Sequence, residues 1–204
     1  RQLLKYQTGT PVNVIANGVR PDRFPGRTAD KIRQQREQWG LPTNGVVLGF
    51  VGTFKAFHGI ERLAELIRWS LAETAVSWLV VGDGPEYSQI VEAGGGSKRL
   101  VMTGKQPPTV VGDLLSAVDI AVAPHSLFSG DFYFCPLKIL EYAAAGCAVV
   151  ASHQGDIPRL LDDGQAGVIV NSDELSAWQA AIESLIHSPD LRSEYGARAR
   201  THVL

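Results

Sequence analysis

The 204-residue chain is 45% hydrophobic and 20% charged, and its formal net charge is −2. This composition is typical of a globular protein with a substantial core, and the lack of any run of basic residues argues against a nucleic-acid-binding surface. Two cysteines without a CxxC motif are typical of a reducing compartment rather than of a disulfide scaffold. Because the sequence has neither a long uninterrupted apolar segment nor a basic and then apolar leader, we expect a cytoplasmic protein.

Short apolar segments alternate with amphipathic helical segments along the chain. PVNVIANGV, residues 11–19, is interpreted as a lead-in strand and turn, and DKIRQQREQWGLP as a helix that ends at Gly40 and Pro42. Six strands are then predicted, over residues 46–52, 76–82, 99–104, 119–124, 147–152 and 166–171. Helices are predicted after the first five strands, over residues 58–71, 85–93, 109–118, 136–145 and 156–164, and two further helices close the chain, over 173–187 and 189–202.

The predicted strands are continuously apolar, which is typical of a parallel sheet that is covered on both faces. We therefore predict an α/β fold with a doubly wound, mostly parallel Rossmann-like sheet of about six strands. Residues 1–45 form the lead-in strand, turn and linking helix, 46–172 the Rossmann-like core, and 173–204 the closing helices of the same domain. The first and last segments look like shortened helices, so we expect the chain to be part of a longer protein.

In such a sheet, ligands bind at the carboxyl ends of the strands. Five predicted loops lie there, at residues 52–59, 82–85, 104–108, 124–135 and 152–156. Glycine serves ordinary steric needs in such turns, so the indication of a site comes from the convergence of these loops on one rim. No GxGxxG follows the first strand, and no GxxxxGK[ST], GxSxG or HExxH motif occurs, so we expect neither a dinucleotide cofactor nor a bound metal.

PLKILEYAAAG, residues 136–146, contains a helix start that is suited to an anion. Pro136 fits the first helical position, and the amides around Leu137 and Lys138 are then free to donate at the positive end of the helix dipole. Lys55 and His58, in the loop after the first strand, add positive charge. This combination predicts a site for a phosphorylated ligand.

Glu141 shares the predicted buried stripe of that helix with Leu137, Leu140 and Ala144. A half-buried carboxylate needs partners, so either it forms a surface ion pair with Lys138 or its partner is not part of the protein. Glu141 lies roughly 7.5 Å along the helix from the phosphate-binding end, which is about the reach from a diphosphate to the hydroxyls of its ribose. A carboxylate accepts hydrogen bonds from two vicinal hydroxyls well.

Simpler interpretations remain open for the other rim residues. Lys55 and His58 also fit an ordinary surface lysine and a helix-start residue without a ligand, and Lys105 fits an exposed loop cation. Cys135 is either a thiol with a lowered pKa at the helix start or a small residue that lines a phosphate loop. His125 lies on the rim without an assigned role.

The segment PLKILEYAAAGCAVVASHQGDIPRLLDDGQAGVIV resembles the C-terminal half of retaining GT-B glycosyltransferases of family 4. In that family a helix glutamate and a small-residue AxAG turn precede VVAS, a glycine-rich turn, an IPE-like helix start and DGxxGxxV. VNVIANGVRPDRF, FVGTFKAFHGIERL, WLVVGDGP and LLSAVDIAVAP also resemble family segments and keep their order. The resemblance spans most of the chain and implies the C-terminal half of a GT-B fold.

The resemblance implies roles for single residues. Glu141 matches the second glutamate of the E(x7)E motif, which binds the nucleotide ribose. The position of the first glutamate, which contacts the donor sugar in the family, is Tyr133 in this chain, and Asp131 or the Tyr133 hydroxyl is the candidate replacement. Lys55 and His58 lie where the family places its basic diphosphate ligands, with His58 in place of the usual lysine before glycine.

The predicted site comprises three candidate catalytic residues and a wider binding set. Lys55, His58 and Glu141 are the candidate catalytic residues. The backbone amides of Leu137 and Lys138 match positions that face the diphosphate, and Lys105 lies in the region that holds the base. The predicted substrate-binding set is Gly52, Lys55, His58, Gly82, Lys105, Asp131, Tyr133, Cys135, Leu137, Lys138 and Glu141.

The implied reaction transfers a sugar from a nucleoside diphosphate sugar to an acceptor hydroxyl, without a cofactor or metal. In this family an N-terminal Rossmann domain, which this chain lacks, contacts the acceptor, a glycan or a lipid-linked acceptor; any peripheral membrane contact is expected only through that half. One alternative is a nucleotide-binding module without transferase activity, since the sugar-contacting glutamate is replaced. Another is a flavodoxin-like signalling domain, against which the lack of an acidic cluster after the first strand counts.

Overall fold

The computed structural model describes residues 15–127 and 135–204. The strands are β1 (Val47–Thr53), β2 (Ser77–Asp83), β3 (Leu100–Gly104), β4 (Ile120–Ala123), β5 (Ala148–Ser152) and β6 (Val168–Val170). The α-helices are α1 (Ala29–Gln38), α2 (Ile60–Glu73), α3 (Tyr87–Gly94), α4 (Pro108–Ser116), α5 (Leu137–Ala145), α6 (Ile157–Leu160), α7 (Leu175–His187) and α8 (Pro189–Val203). The six predicted strands of the core and the helices that follow them are confirmed.

The six strands form one sheet in the order β3-β2-β1-β4-β5-β6, and all neighbouring strands are parallel. This is a doubly wound sheet, as predicted. The direction of winding reverses between β1 and β4, so the loops that follow these two strands diverge and leave a crevice between them.

Both faces of the sheet are buried beneath helices. Leu48 and Phe50 of β1 pack in one apolar cluster with residues of α2, α3 and α7. Val47 of the same strand packs in the other cluster, with residues of α4, α5 and α6. Burial on both faces is the reason that these strands are continuously apolar rather than alternating.

The predicted lead-in strand and turn, residues 11–19, are only partly covered by the structure. Residues 11–14 lie outside the described part of the chain, and residues 15–20 contain no strand. The side chain of Ile15 is 91% exposed, and the segment pairs with neither edge of the sheet, which β3 and β6 form. An apolar stretch without a hydrogen-bonding neighbour has nothing to hold it extended.

A buried ionic network holds α1 against the amino-terminal edge of the sheet. Arg36 is 4% exposed and donates to the Asp119 carboxylate at 2.6 Å and to the carbonyl of Ala117 at 3.1 Å. The same carboxylate accepts from Arg27 at 2.7 Å and from the amide of Val47, the first residue of β1, at 2.8 Å. One carboxylate thus joins the linking helix, β1 and the turn before β4.

Candidate functional site

Strands β1 and β4 separate as they approach the rim. They pair only at Leu48 with Ile120 and at Gly49 with Ala121, whereas β1 stays paired with β2 as far as Thr53. The crevice therefore opens beside the second half of β1, at the switch point of the winding, where ligands bind in folds of this kind.

The Tyr142 hydroxyl forms a hydrogen bond with β1 just beyond the point where β4 stops pairing with that strand. It accepts a hydrogen bond from the amide of Val51 at 2.7 Å and lies 3.4 Å from the carbonyl oxygen of the same residue. Tyr142 is fully buried, and burial raises its pKa, so the phenol stays neutral. This contact holds α5 against the second half of β1, beside the crevice, and so sets the position of the other α5 side chains.

Glu141 lies half-buried on α5. Within residues 15–127 and 135–204, its carboxylate forms neither a hydrogen bond nor an ion pair. Burial raises its pKa, and the charges of Lys138 and Arg23 oppose that shift. Of the two alternatives for Glu141, the surface ion pair with Lys138 is therefore absent, and the described residues leave acceptor positions of the carboxylate unfilled.

Lys138 is buried on the side of α5 that faces the sheet. The residue is 8% exposed, its Nζ lies 4.3 Å from the centroid of the Phe50 ring, and Nζ has no hydrogen-bond partner among the described residues. Burial lowers its pKa to about 7. The sequence indicated only the amide of Lys138, because helical spacing placed its side chain beside Glu141 and not beneath β1.

The helix start itself matches the prediction in part. The amide of Ile139 donates to the carbonyl of Pro136 at 2.9 Å, so the amides of Leu137 and Lys138 precede the first bonded turn. The Leu137 side chain is 49% exposed, so it does not share the buried stripe predicted for it. Cys135 is partly buried with a free thiol. Asp131 and Tyr133 lie outside the described residues.

His58 and Lys55 lie in the loop after β1, as predicted, but they differ in charge. Nδ1 of His58 donates to the carbonyl of Thr53, so the neutral ring presents Nε2 as an acceptor. Burial and the charge of Lys138 lower the pKa of His58 to about 4, so the free protein carries no charge at this residue at pH 7. Lys55 is exposed.

His125 joins this group from the loop after β4, although the sequence assigned it no role. It is 3% exposed, and its ring lies 5.8 Å from that of His58, edge to face. Burial and the charge of Lys138 lower its pKa to about 3. The two loops meet because Gly59 adopts a positive φ of 71° and approaches Pro124 so closely that a Cβ would lie 1.5 Å from its carbonyl oxygen.

Gly52, Gly82 and Lys105 line one cavity of about 390 Å³ over the ends of β1, β2 and β3. Gly52 and Gly82 are register partners on β1 and β2. A Cβ on Gly82 would lie 1.8 Å from the carbonyl oxygen of Gly52, and one on Gly52 would lie 3.0 Å from Nζ of Lys138. Glycine at both positions therefore allows the two strand ends to lie close together and Lys138 to approach β1.

A larger cleft, of about 830 Å³, surrounds the amino-terminal half of α2. It also opens onto the rim, through the loops after β1 and β4, where Gly59 and His125 line it. Neither Lys138 nor Glu141 lines this cleft, whereas Nζ of Lys138 lies beside Gly52 of the smaller cavity, so we assign the site to the smaller cavity and the crevice.

The described residues contain no group of three or more His, Cys, Asp or Glu side chains placed to hold a metal ion. Among the helices of residues 15–127 and 135–204, none has the length and apolar character needed to cross a membrane.

Comparison with known proteins identifies the family. The profile of the family "Glycosyl transferases group 1" matches residues 45–188. The chain belongs to this family. Its curated relatives include the D-inositol 3-phosphate glycosyltransferase of Segniliparus rotundus, 30% identical over 98% of this chain and 45% of the relative. The phosphatidyl-myo-inositol mannosyltransferase of Mycolicibacterium smegmatis is 32% identical over 80% of this chain and 42% of the relative.

Solved structures show the same fold. Anabaena Alr3699/HepE in complex with UDP and glucose aligns with a TM-score of 0.75 at 20% identity, over 93% of this chain and 51% of that one. The C-terminal domain of LpcC, a glycosyl transferase group 1 family protein from Francisella tularensis, aligns with a TM-score of 0.72 at 22% identity, over 91% of this chain and 96% of that one. This group 1 glycosyltransferase chain spans about half the length of the curated relatives that it matches.

Proposed function

We propose that this chain is the donor-binding domain of a retaining glycosyltransferase that transfers a sugar from a nucleoside diphosphate sugar to an acceptor hydroxyl. The observation that carries the proposal is the pair Glu141 and Lys138 on α5: a carboxylate and an amine without hydrogen-bond partners among the described residues, at the switch point of the sheet. Family membership supports the class of reaction. The UDP complexes of Alr3699/HepE support a nucleotide-sugar donor.

Each part of a nucleoside diphosphate has a counterpart on the rim. The cavity over β1, β2 and β3, with Lys105 at its edge, receives the base. Glu141 accepts from the ribose hydroxyls, and the amides at the start of α5 donate to the diphosphate, together with Lys55. His58 is neutral in the free protein and becomes a donor only when a bound anion favours its protonated form. Asp131 or Tyr133 contacts the sugar.

In the reaction, negative charge develops on the leaving diphosphate. Preorganised donors aimed at that charge stabilise the transition state, and the helix amides and cations of this rim are donors of that kind. We propose that no metal takes part. The acceptor, a glycan or a lipid-linked molecule, is held by an N-terminal domain, and any contact with a membrane surface is made through that domain. We place the protein in the cytoplasm, where the free thiols of Cys135 and Cys147 stay reduced.

Binding of nucleoside diphosphates is expected to be independent of divalent metal ions. Calorimetric titrations of the chain with UDP, GDP and ADP should identify at least one ligand whose affinity is the same in EDTA and in magnesium, because the rim supplies its own donors. The affinity should fall as salt rises, because part of the site is exposed to solvent. A ligand that binds only when magnesium or manganese is added would contradict the metal-free site.

The chain alone is expected to bind the donor but not to transfer its sugar. Correct placement of reacting groups in a water-poor site accounts for roughly 7–11 kcal/mol of barrier lowering, and one wall of a cleft does not position an acceptor. Labelled UDP, GDP and ADP sugars would be incubated with a mixture of acceptors, first with this chain and then with the N-terminal domain restored. Equal rates of acceptor-dependent transfer in both would show that these residues are a complete enzyme.

A further inference from the structure

Three basic side chains converge at the switch point. Lys138 extends there from α5, His58 from the loop after β1 and His125 from the loop after β4, and the charge of Lys138 lowers the pKa of both histidines. Lys55 acts on His58 from the exposed side of the same loop. The carboxylate that acts on Lys138 is that of Glu141, which forms no ion pair with it among the described residues. The free protein thus concentrates basic groups at this point of the rim.

The buried environment of the Lys138 side chain is unfavourable for an ammonium group. Its Nζ is buried without a hydrogen-bond partner in the described part of the chain and lies over the ring of Phe50. Such an environment penalises the ammonium form, since the cation–π contact replaces only part of its hydration. Lys138 is nevertheless placed at the start of a helix, where an anion is favoured. Among the described residues Lys138 therefore has no partner of the kind that a bound anion would supply.

We propose that the Lys138 side chain is the buried cation that pairs with the diphosphate of the donor, in addition to the exposed Lys55, and that this pairing takes up a proton from solvent. The inference rests on the proposed function. In the free protein the amine packs against the ring of Phe50. The flexible side chain of Lys138 allows the amine to turn toward an anion that is bound at the α5 amides. Lys55 is exposed and His58 is neutral at pH 7, so neither provides a buried charge.

The first test compares diphosphates with their nucleosides. The chain, its Lys138→Met variant and a Lys98→Met control would be titrated with UDP, GDP, ADP and the three nucleosides. Methionine keeps the length and removes the charge, and the preference for diphosphate over nucleoside is expected to fall about 10- to 100-fold, the size of a charge-assisted hydrogen bond. Lys98 is exposed and precedes β3 at the opposite edge of the sheet, so its variant should keep the preference.

The second test counts protons. Because the pKa of Lys138 is about 7 in the free protein, the amine is mostly neutral at pH 8.5, and formation of the ammonium in the complex takes up close to one proton. Calorimetry in two buffers of different ionisation enthalpy measures that number. Binding by Lys138→Met is expected to take up almost none. His58 and His125, with pKa values of about 4 and 3, stay neutral at this pH unless the ligand raises their pKa much further.

Folding is controlled for independently. Removing an unpaired buried charge relieves a desolvation penalty, so the thermal midpoint of Lys138→Met at pH 7 should equal or exceed that of the wild type. Lys138→Gln, which also lacks the charge, should show the same loss of preference. If the wild type binds a diphosphate without proton uptake, or if both variants keep the preference, the role of Lys138 is wrong and the proposed function stands. If the wild type binds none of the three diphosphates, the proposed function itself fails.

Discussion

Replacing Glu141 by glutamine is expected to weaken nucleoside diphosphate binding by about 1.5–3 kcal/mol, or roughly 10- to 150-fold in Kd. Glutamine keeps the size of the side chain but loses the charge that strengthens hydrogen bonds from two ribose hydroxyls. Because the carboxylate forms no hydrogen bond or ion pair with the described residues, no protein contact is lost with it. Calorimetric titration with UDP, GDP and ADP measures the effect.

The stability of Glu141→Gln separates a binding role from a structural one. Burial already raises the pKa of Glu141, so the neutral amide should leave the thermal midpoint unchanged or raise it slightly. Glu183→Gln, the same substitution at an exposed position of α7, is the matched control and should change neither affinity nor stability. Wild-type affinity of Glu141→Gln for all three diphosphates would remove Glu141 from the site.

Replacing Asp119 by alanine is expected to destabilise the fold by about 3–5 kcal/mol. The substitution leaves the buried Arg36 guanidinium without its carboxylate and the amide of Val47 without its acceptor. A buried charge that loses its partner keeps its desolvation cost, which is why the loss exceeds that of a surface ion pair. Urea denaturation, with the slope of the transition compared between variants, measures the change.

Asp30→Ala is the control for this network. Asp30 also pairs with an arginine, Arg33 at 2.7 Å, but its side chain is 87% exposed, so the expected loss is below about 1 kcal/mol. The Asp119 network lies at the amino-terminal edge of the sheet, and the folded fraction of Asp119→Ala should bind nucleotide as the wild type does. Similar losses of unfolding free energy for Asp30→Ala and Asp119→Ala would show that the burial of Arg36 does not increase the cost of removing its carboxylate partner.

The local pattern of apolar residues was sufficient to predict the strands and helices of the core. Continuous apolar runs such as VVLGFVG and CAVVAS predicted central strands, because burial on both faces removes polar alternation, and the order of strands and helices then implied the doubly wound sheet. The lead-in PVNVIANGV also resembles a strand, and its residues 11–14 lie outside the described part of the chain. Strand formation depends on a neighbouring edge, and residues 15–20 pair with neither edge of the sheet.

The half-buried position of Glu141 was also predictable, since helical spacing placed it on one stripe of the helix with Leu140 and Ala144, which are buried. The convergence of Gly52, Gly82 and Lys105 on one cavity followed from their places after parallel strands. These predictions depend only on periodicity within an element and on the common direction of the strands. Both properties can be inferred from the order of residues along the chain.

The charges at the site were decided by tertiary structure. His58 was predicted to be a cation, but packing of its loop against β4 and Lys138 lowers its pKa to about 4. Lys138 was assigned only an amide, because spacing along α5 does not show that Tyr142 anchors the helix to Val51 and brings the lysine beneath β1, over Phe50. Desolvation and contacts between distant segments set the pKa of a buried group, and neither exists until the chain has folded.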